Sequence, residues 1–332
     1  MKFGETFTEY LQGDQERFLD KCSHIEYKQL KKVLKRCRSC RTSQDSGVET
    51  SPEEENGGLE CQCESCPLCD QKFFSELMKE ASDIAGCFRS RVRRLLHLHI
   101  STGLQSYMSR ALHCFTNDKQ TMAQQGRLLI EYAAMNAIAI RKILKKYDKV
   151  HSSVNGRNFK TKMRAEHIEL LQSPWLIELG AFYLNSNRSN GGESGNFSHP
   201  FSCDFDADKP VMTLIIPDSV KLEYNLTCAI CLETVFNPYA LRCGHLFCKS
   251  CACSAASVMM FEGLKTAPPE TKCPVCREIG VYANSLHMNE LDGLMKKRCK
   301  DYWRERMLAE RAEMVRQSKE YWDLQTKYVL GI

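Results

Sequence analysis

The sequence has 332 residues, of which 26% are charged, with a formal net charge of +5. This length allows two domains that each bury a core, and the near balance of charge excludes a uniformly basic nucleic-acid coat. No run of about 20 apolar residues is present that would cross a bilayer, and the first residues lack the apolar stretch of a signal peptide. We therefore expect an intracellular protein of the cytoplasm or nucleus.

The chain contains 19 cysteines, and several of them form Cys-x-x-Cys pairs, one group of which includes a histidine. Thiols stay reduced inside most cells, where such groups bind zinc more often than they build a disulfide framework. The cysteine pattern therefore predicts metal sites.

Helices are the only elements predicted in the first half of the chain. Apolar residues recur at helical intervals in residues 1 to about 41, 71 to 104, 119 to 150 and 160 to 182. Residues 42 to 60 are polar, acidic and rich in glycine, which is typical of a flexible insertion, and with the neighbouring cysteines this insertion spans about 42 to 70. The predicted fold of this half is a helical bundle, so the chain is mainly α.

The pattern changes class in the second half. Asn, Ser and Gly dominate residues 185 to 208, which places a linker at 171 to 210. The run Val211–Ile216 predicts a short strand. Residues 286 to 328 are rich in charge and helix formers, but heptads do not hold across them, so they predict a trailing helix and not a long coiled coil.

Eight candidate metal ligands follow one another between residues 228 and 276. Thiolate and imidazole are the ligands that zinc prefers, and two cysteines separated by two residues can grip one tetrahedral ion. Eight ligands make two closed four-coordinate sites, and closed sites are structural. The alternative, that these are merely buried apolar cysteines, does not explain their order. Cys253 is a spare thiol with no metal role. The ligands are Cys228, Cys231, Cys243, His245, Cys248, Cys251, Cys273 and Cys276.

This ligand series resembles the RING family at all eight positions, with the histidine fourth, whereas the related PHD finger has its histidine fifth. The resemblance implies a small ββα zinc domain at 228–277 in which the two sites interleave. Cys228, Cys231, Cys248 and Cys251 would hold one zinc, and Cys243, His245, Cys273 and Cys276 the other. It further implies an E3 ubiquitin transferase that forms no covalent ubiquitin–cysteine intermediate.

The resemblance also implies roles for three residues beside the ligands. Ile230 and Pro274 correspond to apolar residues that RING domains offer to a ubiquitin-conjugating enzyme. Arg277 corresponds to the linchpin cation that bonds both that enzyme and ubiquitin, a task suited to a guanidinium. The alternative for Arg277 is an ordinary solvated arginine. The chain departs from many RING domains at Ala255, where they carry a tryptophan; the neighbours that can supply the apolar contact are Met259, Met260 and Phe261.

Positive charge is concentrated in residues 27 to 41 and 141 to 164. Four lysines in the second stretch fall at i, i+3, i+4 and i+7 and share one helix face, opposite to apolar residues of the same helix. Like charges held together cost stability, so such a face indicates an anionic ligand. The alternatives are a solvated basic face, a membrane surface or nucleic acid, and the absence of interleaved aromatic residues argues against nucleic acid. The four are Lys142, Lys145, Lys146 and Lys149.

Three stretches of the helical half resemble the SPX domain over roughly residues 1–170. They are Met1-Lys2-Phe3-Gly4, Ile25-Glu26-Tyr27-Lys28-Gln29-Leu30-Lys31-Lys32 and Lys142-Ile143-Leu144-Lys145-Lys146-Tyr147-Asp148-Lys149. The resemblance implies a helical bundle that binds inositol polyphosphates or pyrophosphates. The contacts that it implies are Lys2, Tyr27, Lys31, Lys142, Lys145, Lys146 and Lys149.

A second group of cysteines flanks the insertion, with Cys37 and Cys40 before it and Cys66 and Cys69 at its end. Four thiolates in two such pairs are able to form a third zinc site that joins the ends of the insertion. SPX domains do not generally carry this site. The alternative is a set of unliganded thiols.

An SPX domain followed by a RING resembles the plant ubiquitin ligases of the nitrogen limitation adaptation type. This resemblance implies three protein partners, namely a ubiquitin-conjugating enzyme, ubiquitin and a substrate protein, with membrane phosphate transporters among the substrates. It implies a role in phosphate and nitrogen homeostasis, with recruitment to a plasma membrane that the chain does not span. The alternative is a non-enzymatic adaptor or scaffold in phosphate signalling.

Overall fold

The computed structural model describes residues 3–12, 19, 22–32, 67–96, 118–151, 153–187, 200–205, 209–216 and 220–331. The chain divides into two compact units, one formed by residues 1–91 and 131–171 and the other by residues 92–130 and 172–332. Two long helices, Pro67–Leu95 and Asp118–His151, each contribute residues to both units. None of the helices within the described ranges combines the length and the apolar character that crossing a bilayer requires.

The first unit is helical. Its elements are α1 (Phe3–Gln12), a helical segment at 27–32, most of α2 (Pro67–Leu95), the second half of α3 (Asp118–His151), α4 (Asn155–Ala165) and a 3₁₀ turn (Leu170–Gln172). Apolar residues at helical spacing, such as Phe73, Leu77, Ile84 and Phe88 of α2, are buried. The helical periodicity of this half of the sequence is therefore confirmed for the described residues.

Buried polar contacts fix the N-terminal segment on α3. Asn136 is 0% exposed, and its Oδ1 accepts a hydrogen bond of 3.0 Å from the Ile25 backbone N–H. The Asn136 Nδ2 donates to the Tyr132 carbonyl at 2.8 Å, and the Tyr132 hydroxyl donates to the Ser23 carbonyl at 2.6 Å. Because a buried polar group without a partner is costly, these bonds hold residues 23–25 at one position along α3.

A disulfide joins Cys22 to Cys87 of α2, with the Cα atoms 5.9 Å apart. The cysteine pattern does not predict this bond, because the two thiols lie 65 residues apart and outside every Cys-x-x-Cys pair. The packing of the N-terminal segment against the helices brings them together, which local spacing cannot reveal.

Asp148 caps α4 from the preceding helix. Its Oδ1 accepts the Gly156 N–H at 2.6 Å and its Oδ2 accepts the Arg157 N–H at 3.1 Å. A Cβ at position 156 would lie 2.7 Å from the Leu144 carbonyl oxygen, so the close approach requires glycine. The one acid within the basic stretch thus satisfies amide groups at a helix N-terminus.

The predicted helix at 160 to 182 is two helices in the structure, because α4 ends at Ala165 and α5 begins at Pro174. Proline suits the first turn of a helix, where no N–H is needed, and His167 between the helices has a φ of 57°. The helix α5 (Pro174–Asn187) belongs to the second unit. Together with β1 it occupies part of the region 171–210, whose composition predicts a linker.

Helix α5 packs against α7 (Asn289–Arg298) through a buried carboxylate. Glu178 is 0% exposed, and its two oxygens accept the backbone N–H groups of Glu290 at 2.7 Å and Leu291 at 3.2 Å. A carboxylate at this end of a helix satisfies free N–H groups and faces the positive end of the helix dipole. Residue 178 therefore anchors the helix that follows the RING region.

Replacing Glu178 with alanine is expected to lower the free energy of unfolding of the second unit by about 2–3 kcal/mol, because one buried and one partly buried N–H group lose their acceptor. Urea denaturation followed by circular dichroism measures the change. Alanine at the exposed Glu262 is the matched control and should cost less than about 0.5 kcal/mol. Equal losses in the two variants would remove this role for Glu178.

Three antiparallel strands follow α5 in the order β1 (Phe201–Asp204), β2 (Val211–Ile216) and β3 (Val220–Asn225). Strand β2 covers the range predicted from its apolar run. Leu214 pairs with Phe201 on one side and with Leu222 on the other. A Cβ at Gly180 would lie 2.6 Å from the Phe201 ring, so glycine lets α5 approach the sheet closely.

The cysteine-rich region is a small ββα unit. The hairpin β4 (Pro238–Ala240) and β5 (Leu246–Cys248) leads into α6 (Lys249–Ala255), and β6 (Leu286–His287) adds a third strand beside β4. A 3₁₀ turn lies at Leu264–Thr266.

The trailing region is divided at Cys299 into α7 and α8 (Lys300–Leu330) and is not one helix.

Candidate metal centre and its surface

The first two ligands lie in a tight loop closed by backbone hydrogen bonds. The Cys228 N–H donates to the Glu233 carbonyl at 2.8 Å, and the Leu232 N–H donates to the Cys228 carbonyl at 2.9 Å. Leu232 has a φ of 62°, in the left-handed region. This loop, residues 228–233, is called knuckle 1 below, and it directs the two thiols of one Cys-x-x-Cys pair toward a common point.

The last two ligands repeat this geometry in residues 273–278, called knuckle 2. The Cys273 N–H donates to the Glu278 carbonyl at 2.9 Å, the Arg277 N–H donates to the Cys273 carbonyl at 2.9 Å, and Arg277 has a φ of 60°. Both knuckles therefore read Cys-x-x-Cys-x-Glu and place a residue with positive φ directly after the second cysteine. The left-handed conformation lets the chain turn back within so few residues.

The remaining ligands come from the hairpin and α6. Gly244, between Cys243 and His245, has a φ of 88°, and its N–H donates to the Leu241 carbonyl at 2.8 Å. Glycine adopts this conformation without steric cost. Cys248 ends β5, and Cys251 lies in the first turn of α6.

The eight ligands form two interleaved clusters. Within each cluster all ligand atoms lie within 4.8 Å of one another. Knuckle 1, the end of β5 and α6 supply one cluster, whereas the turn of the hairpin and knuckle 2 supply the other, so each site joins segments that are distant in the sequence. The clusters are Cys228, Cys231, Cys248 and Cys251, and Cys243, His245, Cys273 and Cys276.

The clusters fit zinc. Four sulfur atoms bound at about 2.3 Å from one zinc in a tetrahedron lie about 3.8 Å apart, and the Sγ atoms of Cys231 and Cys248 are 3.8 Å apart. The His245 Nδ1 lies 3.3 Å from the Cys243 Sγ and 3.7 Å from the Cys273 Sγ, which identifies Nδ1 as the ligand nitrogen. Two structural zinc sites, as predicted, are therefore confirmed.

Neighbouring groups complete the sites and distinguish the spare thiol. The Phe236 N–H donates to the Cys248 Sγ at 3.3 Å, an outer contact of the kind that orients a metal ligand. Cys253 is 1% exposed and belongs to neither cluster. Burial raises the pKa of its thiol to about 11, which keeps it protonated and unreactive.

Each knuckle presents apolar side chains to solvent. In knuckle 1 Ile230 is 40% exposed and Leu232 is 77% exposed, and in knuckle 2 Val275 is 47% exposed beside the exposed Pro274. The exposure of Leu232 and Val275 was not expected from spacing, although both lie next to ligands. Exposed apolar residues grouped on tight loops are typical of a docking surface.

Arg277 is exposed, and no ion pair among the described residues involves it. Ala255 is exposed at the end of α6. Met260, one of the candidate substitutes for the missing tryptophan, is 2% exposed and belongs to the core. Phe261 is 40% exposed, and its ring contacts Tyr321 of α8 with centroids 5.5 Å apart.

The basic face of α3 has the predicted orientation. Ile143, Leu144 and Tyr147 are buried, whereas Lys145 and Lys149 are exposed. Lys142 and Lys146 are partly exposed on the same face. Lys31 is exposed, and burial raises the pKa of the half-buried Tyr27.

Some of the predicted site residues lie outside the described residues, as does most of the insertion. They are Lys2, Cys37, Cys40 and Cys66, and the side chain of Cys69 is not described either.

The cross-braced clusters and the ββα fold define a RING-type zinc finger, and the RING-type zinc-finger family model matches residues 228–274. This is the class of domain that the ligand spacing indicates.

The chain is similar along its whole length to plant proteins that contain more than this finger. It is 62% identical over 334 residues to a probable E3 ubiquitin-protein ligase BAH1-like from Arabidopsis thaliana. It is 59% identical over 339 residues to a probable E3 ubiquitin-protein ligase BAH1-like 1 from Oryza sativa subsp. indica, and 43% identical over 344 residues to the E3 ubiquitin-protein ligase NLA from Arabidopsis thaliana. Each alignment covers 100% of both chains. The chain therefore belongs to this plant family of RING-type E3 ubiquitin-protein ligases, which are ubiquitin transferases.

Proposed function

We propose that the two knuckles hold a ubiquitin-loaded conjugating enzyme in position for transfer. The observation that carries this proposal is the exposure of Ile230 and Pro274 on the knuckles, with the uncovered Arg277 directly after the last ligand. The amine of a substrate lysine attacks the thioester carbonyl of ubiquitin, an isopeptide bond forms, and the conjugating enzyme leaves as its free thiol. Holding the thioester in one orientation accelerates this step without a covalent intermediate on the RING.

The zinc sites supply structure and take no part in the transfer. Zinc bound by four protein ligands has no open position for a substrate, so its contribution is to fix the knuckles. Ile230 and Pro274 bind the conjugating enzyme through apolar contact, and Arg277 bonds to the enzyme and to ubiquitin together. A guanidinium with five donors is able to bond to both proteins at once.

Replacing Ile230 with alanine is expected to lower the rate of auto-ubiquitination at least about tenfold, because a central apolar contact of an interface contributes roughly 1.4 kcal/mol or more. The assay uses the purified full-length chain with a conjugating enzyme, activating enzyme, ubiquitin and ATP. Ile279→Ala is the matched control, since this isoleucine is 61% exposed but lies just outside knuckle 2. Unchanged activity of the Ile230 variant would refute the docking role and would favour a scaffold.

We also propose that the helical unit is an SPX domain that senses inositol polyphosphates or recruits a substrate. Contacts within this unit support it. A Cβ at Gly4 of α1 would lie 3.7 Å from the Tyr27 ring, so the N-terminal helix runs beside Tyr27. Ile25 is bonded to Asn136 of α3, and Lys142 lies six residues, about 9 Å, further along that helix.

A ligand crowded with phosphate groups matches this basic face. Lysine is a flexible point charge that adjusts to many oxygen atoms, and the Tyr27 hydroxyl adds a directed donor. The exposed lysines at positions 145 and 149 lie one turn apart on the side away from the core. The proposed contacts remain Lys2, Tyr27, Lys31, Lys142, Lys145, Lys146 and Lys149.

Removing three of these lysines together is expected to weaken the binding of inositol hexakisphosphate on the order of 100-fold or more, since each charged contact contributes roughly 1.5–3 kcal/mol. Isothermal titration calorimetry compares the wild type with a Lys142→Ala/Lys145→Ala/Lys146→Ala variant. A triple alanine variant at exposed lysines of the second unit, Lys209, Lys265 and Lys272, removes the same charge and should bind normally. Equal losses in both variants would indicate general electrostatic attraction without a site.

The resemblance to the nitrogen limitation adaptation type suggests membrane phosphate transporters as substrates, reached from the cytosolic side of the membrane. Adding inositol hexakisphosphate to a ubiquitination reaction that contains the cytosolic segments of such a transporter tests the link between the two activities. A rate that changes with the ligand in the wild type, but not in the lysine variant, is the expected result. A rate indifferent to the ligand would leave the helical unit as a recruiting domain.

A further inference from the structure

The helix α8 lies on the RING with one of its faces. Residues on this face recur every three or four positions, as expected for one side of a helix. Arg306 pairs with Glu233 at 2.9 Å, and Asn237 donates to the Glu310 Oε1 at 2.6 Å. Further contacts come from Tyr302 with the Thr234 carbonyl, Gln317 with the Met260 N–H and Tyr321 with the Phe261 ring.

The opposite face of α8 carries an apolar stripe. Leu308 is 58% exposed, Val315 66%, Trp322 63% and Val329 80%. They follow one another at intervals of seven residues, and seven residues fall only about 20° short of two full helical turns. Glu310, which contacts the RING, is two positions and about 200° from Leu308. The stripe therefore points away from the RING and extends about 31 Å along the helix.

We propose that this stripe is the interface through which two copies of the chain associate, with their α8 helices antiparallel. A stripe with a repeat of seven residues matches a second helix of the same repeat, and α8 itself supplies one. In an antiparallel pair the twofold axis crosses the helix midway between two residues that face each other. Val315 and Trp322 have the same midpoint along α8 as Leu308 and Val329. An axis that places Val315 against the partner's Trp322 therefore also places Leu308 against the partner's Val329. All four apolar residues of each copy are then covered.

Charge on the flank of the stripe selects the antiparallel arrangement. Arg316 follows Val315 by one position and Asp323 follows Trp322 by one position, so both lie on the same flank. The same twofold axis therefore brings each Arg316 near the partner's Asp323 and forms two equivalent ion pairs. Arg316 already bonds to Glu313 and Glu320, both at 2.6 Å, but it is exposed and its fork has five donors. A parallel arrangement would place the two flanks on opposite sides of the helix pair, so that no ion pair between Arg316 and the partner's Asp323 could form.

The proposed pairing leaves the ligase surface free. The stripe points away from the RING, and the contacts of α8 described above involve neither Ile230 nor Arg277. A dimer of this kind carries one RING on each outer side of the helix pair. The sequence shows no complete heptad pattern here because the other apolar and aromatic positions of α8, such as Tyr302 and Tyr321, contact the chain's own RING.

Sedimentation velocity of the full-length chain at about 50 µM tests this proposal. The wild type is expected to sediment as a dimer, and Val315→Glu/Trp322→Glu to raise the dissociation constant at least about 100-fold. Leu324→Glu is the matched control, because Leu324 is 64% exposed on α8 but lies off the stripe. Circular dichroism and two bound zinc ions per RING verify that each variant is folded.

Exchange of the flanking charges tests the orientation. Arg316→Asp alone and Asp323→Arg alone are each expected to weaken the dimer about tenfold, and the variant with both changes to regain it. A monomeric wild type at about 50 µM would overturn the proposal. A dimer that tolerates the Val315/Trp322 variant would overturn it as well, and a dimer weakened by the double charge exchange would overturn the antiparallel arrangement.

Discussion

Replacing Cys273 with serine is expected to abolish ubiquitin transfer and to release at least one zinc ion per chain. Cys273 is 1% exposed and belongs to the cluster with Cys243, His245 and Cys276. Structural zinc contributes on the order of 10–16 kcal/mol to folding, as much as or more than the roughly 5–15 kcal/mol by which a whole domain is stable. Loss of one ligand therefore unfolds the site and does not merely weaken it.

Interleaving spreads this damage to the other site. Cys248 ends β5, the strand that directly follows Cys243 and His245, so disorder in one cluster releases a ligand of the second. We expect excess chelator to have the same effect on the wild type, with loss of transfer and of the RING signals in a nuclear magnetic resonance spectrum. Atomic absorption measures the zinc content of each variant.

The matched control is Cys253→Ala, which also removes a buried thiol between two ligands. Because Cys253 belongs to neither cluster, this variant should keep both zinc ions and most of its activity. A Cys273→Ser protein with normal zinc content and transfer would contradict the assignment of the sites.

The zinc content of the wild type also tests the cysteines that flank the insertion. Three zinc ions per chain would support a third site there, and two would exclude it.

Replacing Arg277 with glycine is expected to reduce ubiquitin discharge on the order of 100-fold while leaving the RING at least as stable as the wild type. Loss of one aimed donor at a reaction centre typically costs this much in rate. Arg277 has a φ of 60°, which costs a residue with a side chain roughly 1–2 kcal/mol and costs glycine nothing. Activity and stability are therefore expected to change in opposite directions.

Discharge of ubiquitin from a preloaded conjugating enzyme to free lysine measures this effect without a protein substrate. Arg277→Lys should recover only a small part of the rate, because an ammonium cannot reproduce the planar fork. The matched control is Lys272→Ala, which removes an exposed cation two residues before Pro274 and should leave the rate within about twofold. Full activity of the glycine variant would show that Arg277 is an ordinary solvated arginine.

The zinc centre was the most predictable part of the molecule. Ligand chemistry and the two-residue spacing limit which residues can bind one ion, so the eight ligands were identified without knowledge of the fold. The apolar repeat likewise predicted α3, including the buried side of Tyr147 and the exposed side of Lys145. Both signals are local, because each depends on residues separated by a few positions in the chain.

Features that join distant segments were not predictable from this sequence. Glu178 caps a helix 112 residues away, and Cys22 bonds to a cysteine 65 residues away. Composition at 185 to 208 predicted a linker where the end of α5 and β1 form, because pairing with β2 stabilises a short strand whose own sequence indicates little structure.

The sequence by itself determined which residues bind zinc and where the long helices α2 and α3 form, since ligand spacing and apolar periodicity are properties of short segments. Only the tertiary structure decided which face of α8 contacts the RING and which face remains exposed. The sequence of α8 has apolar residues on both sides, and their roles differ because one side packs against knuckle 1 and the segment that follows α6 while the other meets solvent. The exposed stripe at Leu308, Val315, Trp322 and Val329 is visible only once that packing is known.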